Sequence, residues 1–188
     1  MKQKVNGSTM NIKLTLLSIM ILLFAGCITK EDDDMEKISV MVEGFNEGEM
    51  IPDEFTCNGK DISPLIYWKE IPAGTKSITL IMDDPDAPGG TFVHWVIYNM
   101  PAQTRNLPKG MPVDKTLVDG SMQGMTDFGK PGYGGPCPPP GKPHRYFFKV
   151  YALDMKLNLP VGASKNQVES AMKGHILADG EMMGKYQR

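Results

Sequence analysis

The sequence predicts a mainly β protein, and three observations carry that reading. The apolar runs between residues 38 and 188 are short, rich in β-branched and aromatic side chains, and punctuated by Gly, Pro, Asn and Asp. One stretch has a clear helix-start signature followed by apolar residues at helical spacing. The composition, 41% apolar and 22% charged over 188 residues, is that of a chain folding around one core, a single domain with something small attached. Lys and Arg number 20 against 22 Asp and Glu, a formal charge of −2. That near balance excludes the sustained positive field on which nucleic-acid binding depends.

The first 26 residues read as an export signal. Lys2, Lys4 and Lys13 precede an uncharged run, LTLLSIMILLF at 14–24, and Ala25, Gly26 and Cys27 follow. The run is shorter than the ~20 residues of a membrane-spanning helix and has the length of a signal-peptide core. Its end, FAGC, resembles a prokaryotic lipobox, in which the cysteine is lipidated, although Phe24 stands where that pattern prefers Leu. A lipid anchor on Cys27 is the favoured reading; simple secretion with an unmodified Cys27 is the other. Removing residues 1–26 takes away the three lysines and no acid, moving the charge from −2 to −5. Residues 27–37, with the acidic run EDDDMEK at 31–37, read as a solvated tether. The folded domain is therefore expected over 38–188.

Within it, strands are predicted at 38–42, 64–68, 77–82, 94–99 and 145–153. The helix starts at Ser164, where Gln167 completes a capping box, and Val168, Ala171, Met172 and Ile176 share one face, so the helix should run to near Gly180. Export would place Cys57 and Cys137 in an oxidising compartment where a disulfide persists; a bridge is favoured over two separately buried thiols.

Chemistry concentrates in two segments. In HRYFFKVYALD, from 144, period-two alternation sends His144, Tyr146, Phe148 and Val150 to one face and Arg145, Phe147, Lys149 and Tyr151 to the other. Just upstream, GKPGYGGPCPPPGKP at 129–143 is too rich in Pro and Gly for regular structure; it is either one wall of a pocket or a stiffened surface connection. The second segment is SITLIMDDPDAPGGTFVHWVIYNMP at 77–101, where Asp84, Asp86 and His94 flank one proline-stiffened turn. Asp84 suits a role beside an imidazole, and Asp86 suits capping of backbone amides in the turn.

DPDAPGGTFVHWVIYNMP together with GYGGPCPPPGKPHRYFFKVYALD resembles the phosphatidylethanolamine-binding protein family, in its bacterial and archaeal Raf-kinase-inhibitor-like branch. The likeness runs from about Ile38 to the end of the sequence and takes in CNGKDISPLIYW and AMKGHILADGEMMGKY. It implies a large central β-sheet, a smaller sheet on one face, helices on the other, and a small anion pocket at one end. Matched residue by residue, the pocket positions are Asp84, His94, His144 and Tyr146, with Gly135 and Pro136 in the wall loop; Asp86 and Arg145 are assigned structural roles. Phe92 stands where eukaryotic members carry Trp, so the lip should be apolar and differently shaped. A tyrosine that eukaryotic members draw from a C-terminal helix has no counterpart here, so binding of a lipid headgroup does not follow from the resemblance.

Two imidazoles, a phenol and loop amides are donors toward a phosphate or carboxylate, and Asp84 can set the tautomer of one ring. The expectation is a binding protein for a small anionic or phosphorylated group that needs no cofactor and turns nothing over, with binding that weakens as pH rises through roughly 7 to 8. Three rival readings compete with it. His94, His144 and Asp84 are also a facial metal-ligand set, although no HxD or HxH spacing gathers them. Ser63, Ser121 or Cys137 would have to serve a hydrolase, yet none sits in a nucleophile turn. Family members inhibit kinases or proteases, which for an exported chain implies a cell-surface protease inhibitor, and bacterial relatives imply a homodimer. His175 is assigned to packing or dipole pairing at the helix end.

Overall fold

Strand formation follows the alternating runs, and two of them build the centre of the molecule. The structure, a computed structural model, describes residues 1–2 and 36–188; the proposed signal, Cys27 and most of the tether lie outside the described residues. β1 (Glu36–Lys37), β2 (Ser39–Val42), β3 (Ile66–Lys69), β4 (Ser77–Asp84), β5 (Phe92–Pro101), β6 (Asn106–Leu107), β7 (Met122–Gln123), β8 (His144–Leu153) and β9 (Ile176–Tyr186) follow in chain order, with α1 (Lys165–Met172) between β8 and β9. A single 3₁₀ turn spans Asp53–Phe55.

The large sheet has the order β1-β9-β8-β4-β5-β7 and the small one the order β2-β3-β6. β1 is parallel to β9; the other pairings are antiparallel. Between the sheets lies the main core, where Val40, Ile66 and Trp68 meet Leu80, Trp95, Ile97, Phe148 and Val150. On the opposite face of the large sheet, Val168 and Met172 of α1 cover Ile81, Val96 and Tyr98. β4 is buried at every position because both its faces are covered. The β8 alternation is as expected: Tyr146, Phe148 and Val150 join the inter-sheet core, while Tyr151 packs toward the helix side.

The helix is shorter than its periodicity predicts. The capping box forms, with the Ser164 side chain and Gln167 bonded reciprocally, but α1 stops at Met172 and Gly174 follows at φ 79°. Ile176 does contact the cluster that α1 covers, from a strand rather than a fourth helical turn. β9, which the sequence reading missed, pairs with β8 from Leu153↔Ile176 to His144↔Tyr186. Its composition hid it: ILADGEMMGKY has few β-branched residues and two interior glycines. Those glycines serve close approach, since a Cβ on Gly180 would stand 1.9 Å from the Ile38 carbonyl oxygen and one on Gly184 2.4 Å from the Phe45 ring. The domain also begins earlier than expected, because Glu36 and Lys37 pair with β9 instead of belonging to the tether.

Candidate functional site

Asp84 ends β4, and β8 starts at His144 on the neighbouring strand, so a residue pair sixty positions apart meets at one end of the sheet. The His144 Nδ1–H donates to Asp84 Oδ2 at 2.8 Å, and both side chains are buried. The other carboxylate oxygen, Oδ1, accepts the Asp86 backbone N–H at 2.8 Å. Asp84 thus both orients the imidazole and caps the turn that follows β4.

His94 reaches the same place through a bulge. β4 and β5 pair as Met82↔Trp95 and then Asp83↔Val93, which leaves His94 as the extra residue on β5. A bulge re-aims the side chain it carries. Its ring donates from Nδ1 to the Gly134 carbonyl oxygen at 2.7 Å, and the Gly134 N–H returns a bond to the His94 carbonyl at 3.1 Å. Burial pushes the His94 pKa below its usual 6.5, partly countered by the Gly134 bond, so the ring is neutral near pH 7. Tyr146, two residues after His144 on the same face, meets the His94 ring edge-on at 5.2 Å between centroids. Its hydroxyl is fully buried and, although the Asp84 carboxylate is close by, has no hydrogen-bond partner of good geometry among the described residues. Burial, with the Asp84 charge nearby, raises its pKa far out of the physiological range, so the phenol keeps its proton.

These groups line a cleft of about 210 Å³. Phe92 and Phe128 form an apolar lip, edge to face at 4.9 Å, and Phe128 also meets the His94 ring edge to face at 5.3 Å. Ala87, Pro88, Cys137, Pro138 and Pro139 complete the wall. Phe128 carries no motif and stands alone between Asp127 and Gly129, so the sequence offered no signal for it.

The wall loop is placed differently from expectation. Gly135 and Pro136 are outside the lining. The Gly135 N–H donates to Asp61 Oδ1 at 2.7 Å, and a Cβ there would come within 2.3 Å of the Phe55 carbonyl oxygen. The Pro136 carbonyl accepts the Cys57 N–H at 3.2 Å. These two residues dock the loop on the 55–61 segment, and Cys57 and Cys137 are joined by a disulfide with Cα atoms 5.4 Å apart. Asp86 also departs from its expected part: it accepts from the Arg145 backbone N–H at 3.0 Å, from Nε at 2.8 Å and from Nη2 at 2.8 Å. The Arg145 guanidinium holds its pKa down at about 2. This pair faces away from the cleft and ties the turn after β4 to the start of β8.

Ser63 and Ser121 do not line the cleft; the Ser63 hydroxyl accepts the Met111 N–H at 2.9 Å. His175 lies just beyond α1, where its backbone N–H donates to the Met172 carbonyl at the helix end at 2.9 Å and its ring Nδ1 pairs with Asp154 Oδ1 at 2.9 Å.

With Nδ1 of each ring spent on a protein acceptor, a neutral His94 and a neutral His144 each keep one lone-pair nitrogen, Nε2. The expected pair of inward imidazole N–H donors therefore exists only when the rings are protonated. In the neutral state the Tyr146 O–H remains as a donor among the described lining side chains.

A mixed two-sheet β fold, with a carboxylate-oriented histidine, a bulge-borne histidine and an unpartnered tyrosine in a cleft at one sheet end, defines a class of protein. The chain belongs to the phosphatidylethanolamine-binding protein family, whose model matches residues 42–187. It is 55% identical over 153 residues to the UPF0098 protein of Aquifex aeolicus, covering 80% of this chain and 89% of that one. The UPF0098 protein of Methanothermobacter thermautotrophicus is 46% identical over 151 residues, covering 80% and 99%. Among solved structures it is similar to a phosphatidylethanolamine-binding protein homolog from Chlamydia trachomatis, with a TM-score of 0.74 at 36% identity over 81% of this chain and 99% of that one. Escherichia coli YbcL, described as a new member of the mammalian family, gives a TM-score of 0.75 at 34% identity over the same shares.

Proposed function

We propose that this family member is an exported binding protein, lipid-anchored through Cys27, whose cleft holds a small anionic group, a phosphate, phosphorylated headgroup or carboxylate, without turning it over. One observation carries the reading: the Tyr146 hydroxyl is buried without a partner in the lining of a cleft shared with two histidines. A buried hydroxyl left unsatisfied costs about 1–3 kcal/mol, so an acceptor from a ligand is its natural complement.

Binding an anion here draws a proton onto a ring, because a neutral imidazole whose Nδ1–H is already donated, as at His94, meets the ligand with a lone pair. Affinity therefore falls as pH rises from 6 to 8, by up to about tenfold per pH unit where one proton is taken up. Sulfate is the suitable probe, since its own charge does not change over that range. Calorimetric titration of the 36–188 domain with sulfate and with phosphate should give binding that weakens with pH; sulfate affinity flat from pH 6 to 8 would rule out the protonation-assisted site. For the anchor, labelling of cells with a radioactive fatty acid should mark the wild-type chain and not Cys27→Ala.

A further inference from the structure

The cleft lining contains a carboxylate, Asp84, and neither Lys nor Arg. An anion entering it meets no permanent positive charge on a lining side chain, and several of the domain's cations are paired elsewhere. Arg145 is held on three bonds by Asp86. Lys149 and Lys165 both pair with Asp83 on the helix-covered face of the large sheet, and Lys60 and Lys109 pair with Glu54. Arg188 is different. Its Nη1 lies 3.3 Å from Cys137 Sγ and 4.0 Å from Cys57 Sγ, and among the described residues its guanidinium has no carboxylate partner. Sulfur is a weak acceptor, so the disulfide is a poor match for a charge-bearing fork of five donors.

Its position follows from the fold. Register His144↔Tyr186 brings the end of β9 beside the first residue of β8. The Gly141 N–H donates to the Arg188 carbonyl oxygen at 3.4 Å and the Gln187 side chain donates to the Gly141 carbonyl at 2.6 Å, so the backbone there is fastened to the loop that leads into His144. The guanidinium rests on Cys137, a lining residue of the cleft, and the Arg188 side chain is exposed.

We propose that Arg188 is the cation of this site: it leaves the disulfide to form a bidentate contact with an oxyanion in the cleft, and so sets the preference for doubly over singly charged ligands. Guanidinium geometry matches two oxygens of a phosphate or sulfate, and its charge needs no proton uptake. The proposal rests on the anion-binding reading above and adds to it a specificity residue outside the matched family positions.

Titrations of sulfate and of acetate into wild type, Arg188→Ala, Arg188→Lys and Tyr146→Phe, at low and at 0.5 M ionic strength, test it. Arg188→Ala should weaken sulfate about five- to tenfold at low salt, with a smaller loss for acetate and little difference left at high salt, where the rim charge is screened. Arg188→Lys should restore part of the sulfate affinity as a point charge. The exposed position predicts an unchanged melting temperature, which thermal unfolding verifies. If wild type binds sulfate, Tyr146→Phe weakens it and Arg188→Ala does not, the assignment of Arg188 is wrong and the anion site stands. If wild type binds neither sulfate nor phosphate, the cleft reading itself is wrong, and the role of Arg188 goes with it.

Discussion

At the scale of single residues, Tyr146 separates binding from stability. Most buried hydroxyls stabilise through the bond they make, but this one makes none of good geometry among the described residues. Tyr146→Phe should therefore leave stability unchanged or raise it by about 1 kcal/mol, while sulfate affinity drops about tenfold. Chemical denaturation and calorimetry of the same preparation check both halves. His94 carries a pH signature of the opposite kind. Its folded pKa lies below the 6.5 of an exposed imidazole, so the unfolded chain binds more protons just below that value. The stability from burying neutral His94 is present above about pH 6.5 and is lost as pH falls toward its lowered folded value. His94→Gln keeps a donor for the Gly134 carbonyl and removes the titration, so its melting temperature should fall less than that of wild type between pH 7.5 and 5.5. The alternation in HRYFF made His144 and Tyr146 readable as a pair, because strand period is local. That both ring Nδ1 atoms would be spent on protein acceptors was not readable, since Asp84 and Gly134 come from distant segments.

At the scale of elements, β5 shows where period-two reading fails. Two irregularities interrupt its pairing with β4, at His94 and around Asn99. Asn99 adopts φ 60°, a left-handed conformation that Asn tolerates, and its side chain makes two bonds to the Leu157 backbone, 2.9 Å from Nδ2 to the carbonyl and 2.7 Å from the Leu157 N–H to Oδ1. Asn99→Ala removes both and retains the strain, so it should cost about 2–4 kcal/mol, measured as a lower urea midpoint. β9 teaches the converse. Its glycines argue against a strand by propensity, yet they are what lets Ile38 and Phe45 lie against it. Gly180→Ala pushes a methyl into a backbone oxygen rather than a flexible side chain, and a loss of about 1–3 kcal/mol is expected from the same denaturation curve.

At the scale of the whole molecule, the Cys57–Cys137 bridge closes a loop spanning 80 residues and holds the cleft wall against the 55–61 segment. In the chain-entropy account a loop of that length contributes about 4.5 kcal/mol. Reduction under native conditions should lower the melting temperature by about 9–18 °C, given ~2–4 °C per kcal/mol for a domain of this size. The wall should keep much of its place meanwhile, because the Tyr133 hydroxyl still donates to the Phe55 carbonyl and Gly135 to Asp61. Where the chain enters the domain also matters for the proposed anchor. Glu36 aligns with Ala178, whereas the cleft lies at the Tyr186 end of β9, roughly 26 Å further at ~3.3 Å per residue. Sulfate affinity should accordingly be the same for the free domain and for a lipid-anchored form on vesicles.

What the sequence determined by itself was whatever repeats over a few residues: the mainly β class, the face shared by His144 and Tyr146, the start of α1 at its capping box, and the motifs that mark the family. Tertiary structure alone decided the rest. The bulge that turns His94 inward, the end of α1 in favour of β9, the docking of Gly135 and Pro136 away from the cleft, and the rest of Arg188 on a disulfide all depend on register and contacts between segments far apart in the chain. Local patterns are dictated by backbone geometry at each position, but these placements minimise the free energy of the whole packing, and no short window of residues contains that information.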